Sequence, residues 1–336
     1  MQHADRNARI EGSELSYELD GMLVIGVASS ALFDLAESDA FFRTQGEAAY
    51  RRYQEEHLED TLQPGVAFPF VKRLLSLNDL AEGDNALVEV IILSRNDPET
   101  GLRVMRSVQD HGLNISRAIF MQGRSPYRFM EGLNMSLFLS ASDHDVREAT
   151  DLGFPAGRVI GLPAADPTGT DLRIAFDFDG VLADDSSERV MQQSGLDAFR
   201  ANETEKAEIP IAEGRLSQFL RAINRIQSIE ERLVEANPRY NRRLHVAIVT
   251  ARNAPAHERV IRTLKSWGLQ VNDAFFLGGI EKVRILRILR PHIFFDDQLA
   301  HLKAAAGEVP SVHVPFGVTN ANPETVGPKV ATPIGE

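Results

Sequence analysis

A fixed spacing between identical residues constrains this chain more than any single motif does. Gly46 and Gly195, Ala49 and Ala198, Arg51 and Arg200, Gly65 and Gly214, and Phe70 and Phe219 are all 149 apart. Farther along, the separation becomes 156. It then holds for Arg103 with Arg259, Val104 with Val260, Gly112 with Gly268, Leu113 with Leu269, Phe120 with Phe276, Gly123 with Gly279, Leu133 with Leu289 and Phe138 with Phe294. Self-similarity at a constant offset marks a repeated structural unit. The change from 149 to 156 places a seven-residue insertion in the second copy. The chain reads as two copies of one unit, about residues 21–145 and 170–300, joined by a Gly- and Pro-containing linker near Pro163 to Thr170.

Within a copy, apolar runs of strand length alternate with helical patterns. In the first, the run beginning at Met22, Val88–Ser94, AIFMQG, Met135–Ser142 and Gly157–Pro163 read as strands. Between them, residues 38–60, PFVKRLLSLNDL and TGLRVMRSVQDHG read as helices, the last stopped by Gly112. Strands alternating with helices predict an α/β fold with a parallel sheet and right-handed crossovers. The expected domains are residues 21–160 and 161–319, flanked by flexible tails at 1–20 and 320–336.

The second copy carries a feature that the first lacks. Leu172 to Asp185, LRIAFDFDGVLADD, is a buried-strand pattern ending in Asp177 and Asp179. Ligands of open α/β sheets bind where such strands end, and two carboxylates this close call for a cation or a shared proton. An offset of 149 carries them back to Ala28 and Ser30, which have no carboxylate. Three later apolar runs also end in polar groups: Thr250 and Arg252 after HVAIV, Lys282 after FFLGGIE, and Asp296 and Asp297 after HIFF. Their counterparts at an offset of 156 are Ser94, Pro126, Ser140 and Ala141 for Thr250, Lys282, Asp296 and Asp297. Singly, each polar residue has an ordinary reading as a loop acid, a strand-end hydroxyl, a solvated lysine or a helix-start acid. Gathered on one rim, they are the parts for Mg²⁺-assisted phosphoryl transfer to an Asp.

Composition narrows the partners. A net charge of −12 with no basic strip argues against nucleic acid. The longest apolar run near the N-terminus, Met22 to Ala28, is too short to span a membrane, so a cytoplasmic location is expected. With no Cys, neither a disulfide framework nor a thiolate metal site is available.

The order of these motifs resembles the haloacid dehalogenase superfamily. The longer stretches FDFDGVLADDSSE, VTAR, KSWGL, RPHIFFDDQ, HVPFGV and AFPFVK are similar to the cytosolic 5′-nucleotidase type I family, from about Val24 to Val318. The resemblance implies a haloacid-dehalogenase-like, Rossmann-type sheet in two tandem copies, the first degenerate. It also implies a helical cap inserted at about 186–244 in the second, and an enzyme that hydrolyses nucleoside 5′-monophosphates. Asp177 would be the nucleophile and Asp179 the general acid and base. Thr250, Ala251 and Lys282 would hold phosphate, and Mg²⁺ would be bound by Asp177, Asp179, Asp296 and Asp297. Phe178, Arg252 and Arg215 are candidates for substrate contact. Inside the first motif, Phe178 and Gly180 stand where animal members have Gly and Ala, so base preference is not carried over. A phosphatase or phosphotransferase for another small phosphate ester, or a nucleotide-sensing regulatory protein, remain alternatives. For the first copy, packing against the second, a homo-oligomer contact and effector binding stay open.

Overall fold

The computed structural model describes residues 18–83, 85–164, 169–317 and 320. Most of both expected tails, and residues 165–168 of the expected linker, lie outside that range. Among the described residues there are ten strands: β1 (Leu23–Val27), β2 (Val88–Ser94), β3 (Arg117–Phe120), β4 (Met135–Ser140), β5 (Ala156–Ile160), β6 (Leu172–Phe176), β7 (Leu244–Thr250), β8 (Asp273–Phe276), β9 (Ile293–Asp296) and β10 (Ser311–His313). The helices of the first half are α1 (Ser29–Leu32), α2 (Ala36–Gln45), α3 (Glu47–Glu56), α4 (Phe68–Ser76), α5 (Pro98–Asp110) and α6 (Asp143–Asp151). Those of the second are α7 (Ser186–Glu205), α8 (Ser217–Ala236), α9 (His257–Trp267), α10 (Lys282–Leu289) and α11 (Leu299–Ala305).

All ten strands form one sheet in the order β3-β2-β1-β4-β5-β10-β9-β6-β7-β8. Every pairing is parallel except β5 with β10, where Ser311 faces Ile160 and His313 faces Arg158. The architecture is thus a mixed α/β, Rossmann-like fold with helices covering a mostly parallel sheet. Such strands are buried on both faces and read as continuous apolar runs, as the uninterrupted burial of β1 and β2 shows.

The two halves use the same backbone contacts. The amide of Ala28 donates to Leu139 O at 2.8 Å, and that of Asp177 to Phe295 O at 2.7 Å. Leu62 N donates to Ser107 Oγ at 3.0 Å, and Ile211 N to Thr263 Oγ1 at 3.2 Å. A small slip follows the first strand: Gly65 N bonds Leu32 O, whereas Gly214 N bonds Leu182 O. The acceptors are 150 apart and the donors 149, so the turn after Asp177 holds one residue more than its counterpart. The Gly46 and Gly195 pair now has a cause. Each adopts positive φ, 78° and 81°, and bends the helical segment there, a conformation costly for any residue with a Cβ. Gly46 divides the helix expected over residues 38–60 into α2 and α3.

The stretch 186–244 divides into two different roles. α7 lies over the carboxyl ends of the second-half strands, whereas α8 buries Phe219, Leu220 and Ile223 in the core. α8 also packs on β1 and β4 of the other half. Buried Arg73 in α4 reaches across as well, donating to the carbonyls of Gly169 and Asp171 at 2.7 and 2.6 Å.

Candidate active site

Four parallel strands carry the expected polar residues to one rim. Phe176 of β6 stands in register with Ile248 of β7 and Phe295 of β9. Asp177, Thr250 and Asp296 therefore fall side by side where these strands end. Gly180, at φ 72°, lets the turn pass the Asp297 side chain: a Cβ there would come within 2.7 Å of its carboxylate.

Lys282, opening α10, points back between two buried acids. Its Nζ lies 2.6 Å from Asp177 Oδ2 and 2.7 Å from Asp296 Oδ2. Burial alone would drive the ammonium's pKa down, but Asp177 and Asp296 outweigh it and hold it above the ordinary lysine value. Burial pushes the Asp177 carboxyl up to about 6 against the pull of Lys282, and Asp296 adds to the rise. Asp296 goes the other way. Burial raises it, but Lys282 and then His301 outweigh that and leave it below the usual carboxylate range. Charges taken this far out of water persist only when paired and hydrogen-bonded. Here one cation serves two anions, and the Gln298 amide also donates to Asp296 at 2.7 Å.

Asp179 has a different partner. Arg252 Nε and Nη2 donate to its two carboxylate oxygens at 2.7 and 2.6 Å, the fork-to-fork arrangement that fixes both groups in direction. The remaining arm, Nη1, pairs with Glu203 of α7, which Arg259 Nη1 also meets at 2.8 Å and Ser187 Oγ at 2.9 Å. The Arg252 guanidinium lies over the rings of Phe178 and Phe199, 5.5 and 5.4 Å from their centroids.

A cavity of about 310 Å³ opens above this rim. Asp177, Asp179, Thr250, Ala251 and Arg252 line its floor, and α7 supplies a wall that includes Met191 and Phe199. Of the expected site residues, five are not in its lining: Lys282 and Asp296 lie buried behind Asp177, and three others stand apart. Phe178 is fully buried beside Trp267 and meets Arg252 from the core side, so it is not part of the cavity lining. Arg215 donates to Gly153 O at 3.0 Å and lies over Phe316, outside the cavity. Asp297 is buried beneath Gly180.

The donors suit a hard divalent cation. Asp177, Asp296 and His301 bring ligand atoms within 4.8 Å of one another, and two of the three are carboxylates. The Asp179 carboxylate is committed to Arg252, and neither it nor Asp297 belongs to that group. Sequence reasoning overlooked His301, Glu203 and the cavity-lining Arg200. Only Arg200 had left a trace, as the identical partner of Arg51.

The chain belongs to the 5′-nucleotidase family, whose members are phosphoric monoester hydrolases: the family's model matches residues 15–321. Human cytosolic 5′-nucleotidase 1B is 33% identical over 289 residues, covering 84% of this chain. The match takes in 47% of the human protein, so the chain spans about half the length of the curated relative.

Proposed function

We propose that this chain is a Mg²⁺-dependent phosphoric monoester hydrolase that converts nucleoside 5′-monophosphates to nucleoside and phosphate. The observation that carries this reading is Asp177 on the floor of a cavity with Lys282 clamped behind it against Asp296, in a chain of this family. The substrate class follows from the relative's name. The same name motivates a cytosolic location, and none of the described helices is long and apolar enough to cross a membrane.

In this reading, an Asp177 oxygen attacks phosphorus in line, the P–O5′ bond breaks, and Asp179 gives a proton to the departing O5′. Asp179 then takes a proton from water, which attacks phosphorus, breaks the P–Oδ bond and restores Asp177. Positioned proton transfer of this kind contributes about 10²- to 10⁴-fold. Thr250, Ala251 and Lys282 hold the phosphoryl oxygens. Asp177 and Asp296 would hold Mg²⁺, with Asp179 contributing through its backbone carbonyl and Asp297 in support. When bound, the ion neutralises charge on the ester. Residues 161–319 form the catalytic unit, with α7 the part of the cap that faces substrate. Residues 21–160 form a degenerate copy of the same haloacid-dehalogenase-like unit.

The test is phosphate release from a panel of nucleoside monophosphates and sugar phosphates, with Mg²⁺ and with chelator. Release from nucleotides that disappears with chelator is the expected result. Release from sugar phosphates alone would overturn the substrate assignment.

A further inference from the structure

Glu203 is a buried acid in the last turn of α7, and the other half of the molecule shows which of its contacts the architecture needs. At an offset of 149 its counterpart is Gln54, which is also buried. Arg259 and its counterpart Arg103 repeat one another. Arg259 Nε donates to Ile209 O at 2.9 Å and its Nη1 to Glu203. Arg103 Nε donates to Asp60 O at 3.0 Å and its Nη1 to Gln54 Oε1 at 3.2 Å. The bond joining the two helices therefore also forms with a neutral amide, at 3.2 Å in place of 2.8 Å.

What the amide lacks is charge, and the charge follows one other residue. Arg252 corresponds to Asn96, and each amide donates to the preceding strand-end hydroxyl: Arg252 N to Thr250 Oγ1 at 3.3 Å, Asn96 N to Ser94 Oγ at 3.1 Å. The half with an arginine there has Glu203; the half with an asparagine has Gln54. Asp179, Arg252, Glu203 and Arg259 make a row of alternating charge from the cavity floor into α7 and α9. The Arg252 side chain is 2% exposed and that of Glu203 is not exposed at all. Without the anion between them, two buried guanidinium groups would face each other, and Arg252 would keep only one ionic anchor.

We propose that Glu203 is a positioning residue: it anchors Arg252, whose fork fixes the Asp179 side chain at the floor of the cavity, so that the seating of α7 and the alignment of Asp179 are one event. The proposal rests on the role given to Asp179 above. It explains why a fork is needed at all, since two parallel bonds set the direction of a carboxylate where one would let it turn.

The test uses Glu203→Gln, a substitution whose fold the Gln54 half already accommodates. Two substrates are compared: a nucleoside monophosphate, whose alkoxide must be protonated to leave, and p-nitrophenyl phosphate, whose phenolate leaves without a proton. Because Asp179 also serves as base in the later hydrolysis, which both substrates share, the leaving-group step is read alone, in a single turnover with enzyme in excess: we expect nucleoside release to slow about tenfold or more and nitrophenolate release less than about twofold. Asp179→Asn should give the same pattern more strongly. An equal slowing of leaving-group release from both substrates in that single turnover, or no slowing from either, overturns the proposal. Should the nucleotide not be a substrate, the function proposed above fails, and the anchoring is still read directly by NMR. Exchange of the Arg252 Nε–H with solvent should quicken about tenfold or more in Glu203→Gln; unchanged exchange overturns the proposal.

Discussion

The two halves of this protein share a backbone plan and differ at one rim. In the second half the strand ends carry Asp177, Thr250 and Asp296, with Lys282 drawn in between the two acids. In the first, Ala28, Ser94 and Ser140 stand at the same strand ends, and Ser29 Oγ meets Ser94 Oγ at 3.2 Å. A cavity of about 370 Å³ still opens on that side, lined by Tyr50, Arg95 and Asn96 among others. Arg95 is turned onto Asp145 at 3.0 Å and onto Glu148. Asp145 stands where the second half has His301. The lesson is that the sheet does not need the charged groups. A rim without acids at these strand ends and without a lysine supports the same backbone hydrogen bonds and a cavity of similar size, so the architecture alone does not account for Asp177, Lys282 and Asp296.

The sharpest way to break this comparison is Asp177→Asn. Removal of a nucleophile costs several orders of magnitude in turnover, on the order of 10³-fold or more. The melting temperature should stay within a few degrees, because Lys282 keeps Asp296. A variant retaining more than a few per cent of the rate would assign the chemistry elsewhere.

Smaller in effect, and read on stability, is Ala28→Asp. This places a carboxylate at the buried position matching Asp177, in the half where Pro126 stands for Lys282. An uncompensated buried charge costs about 3 kcal/mol, so the variant should melt several degrees lower and, in an Asp177→Asn background, restore no activity. An unchanged melting temperature would mean that the first rim can receive a charge after all.

The smallest effect separates Glu203 from Gln54. Burial works against the Glu203 carboxylate, but Arg252 and then Arg259 outweigh it and hold it below its ordinary 4.5. A depressed carboxyl contributes stability that is present above that value and is lost as pH falls through the folded one. The melting-temperature gap between the wild type and Glu203→Gln should therefore narrow below pH 4.5. A gap that stays constant down to the acid limit would remove the charge from the account.

Much of this was written locally. The offsets of 149 and 156 are matched by equivalent hydrogen bonds, and the apolar runs became strands because a parallel sheet buries both faces of each. The strand-end residues Asp177, Thr250 and Asp296 met because parallel neighbours in register must end together. What stayed hidden depended on long-range pairing. β10 has only three residues and gains its identity from β5 and β9. The partnership of Asp179 with Arg252 spans 73 positions, and Glu203 reads as one more charge on a helix. α8 shows the same limit: its amphipathic pattern says that one face is buried, and only the assembled sheet says that the face meets β1 and β4.

The single antiparallel pairing, β5 with β10, has a geometric consequence for the whole molecule. Every strand of one half runs against every strand of the other, so the carboxyl ends of the two sets lie at opposite edges of the sheet. The protein is double-ended: its two mouths open at opposite edges of the sheet and face away from each other. Traffic into either mouth leaves the other unobstructed, and a bulky label fixed beside one would cast no shadow on its twin.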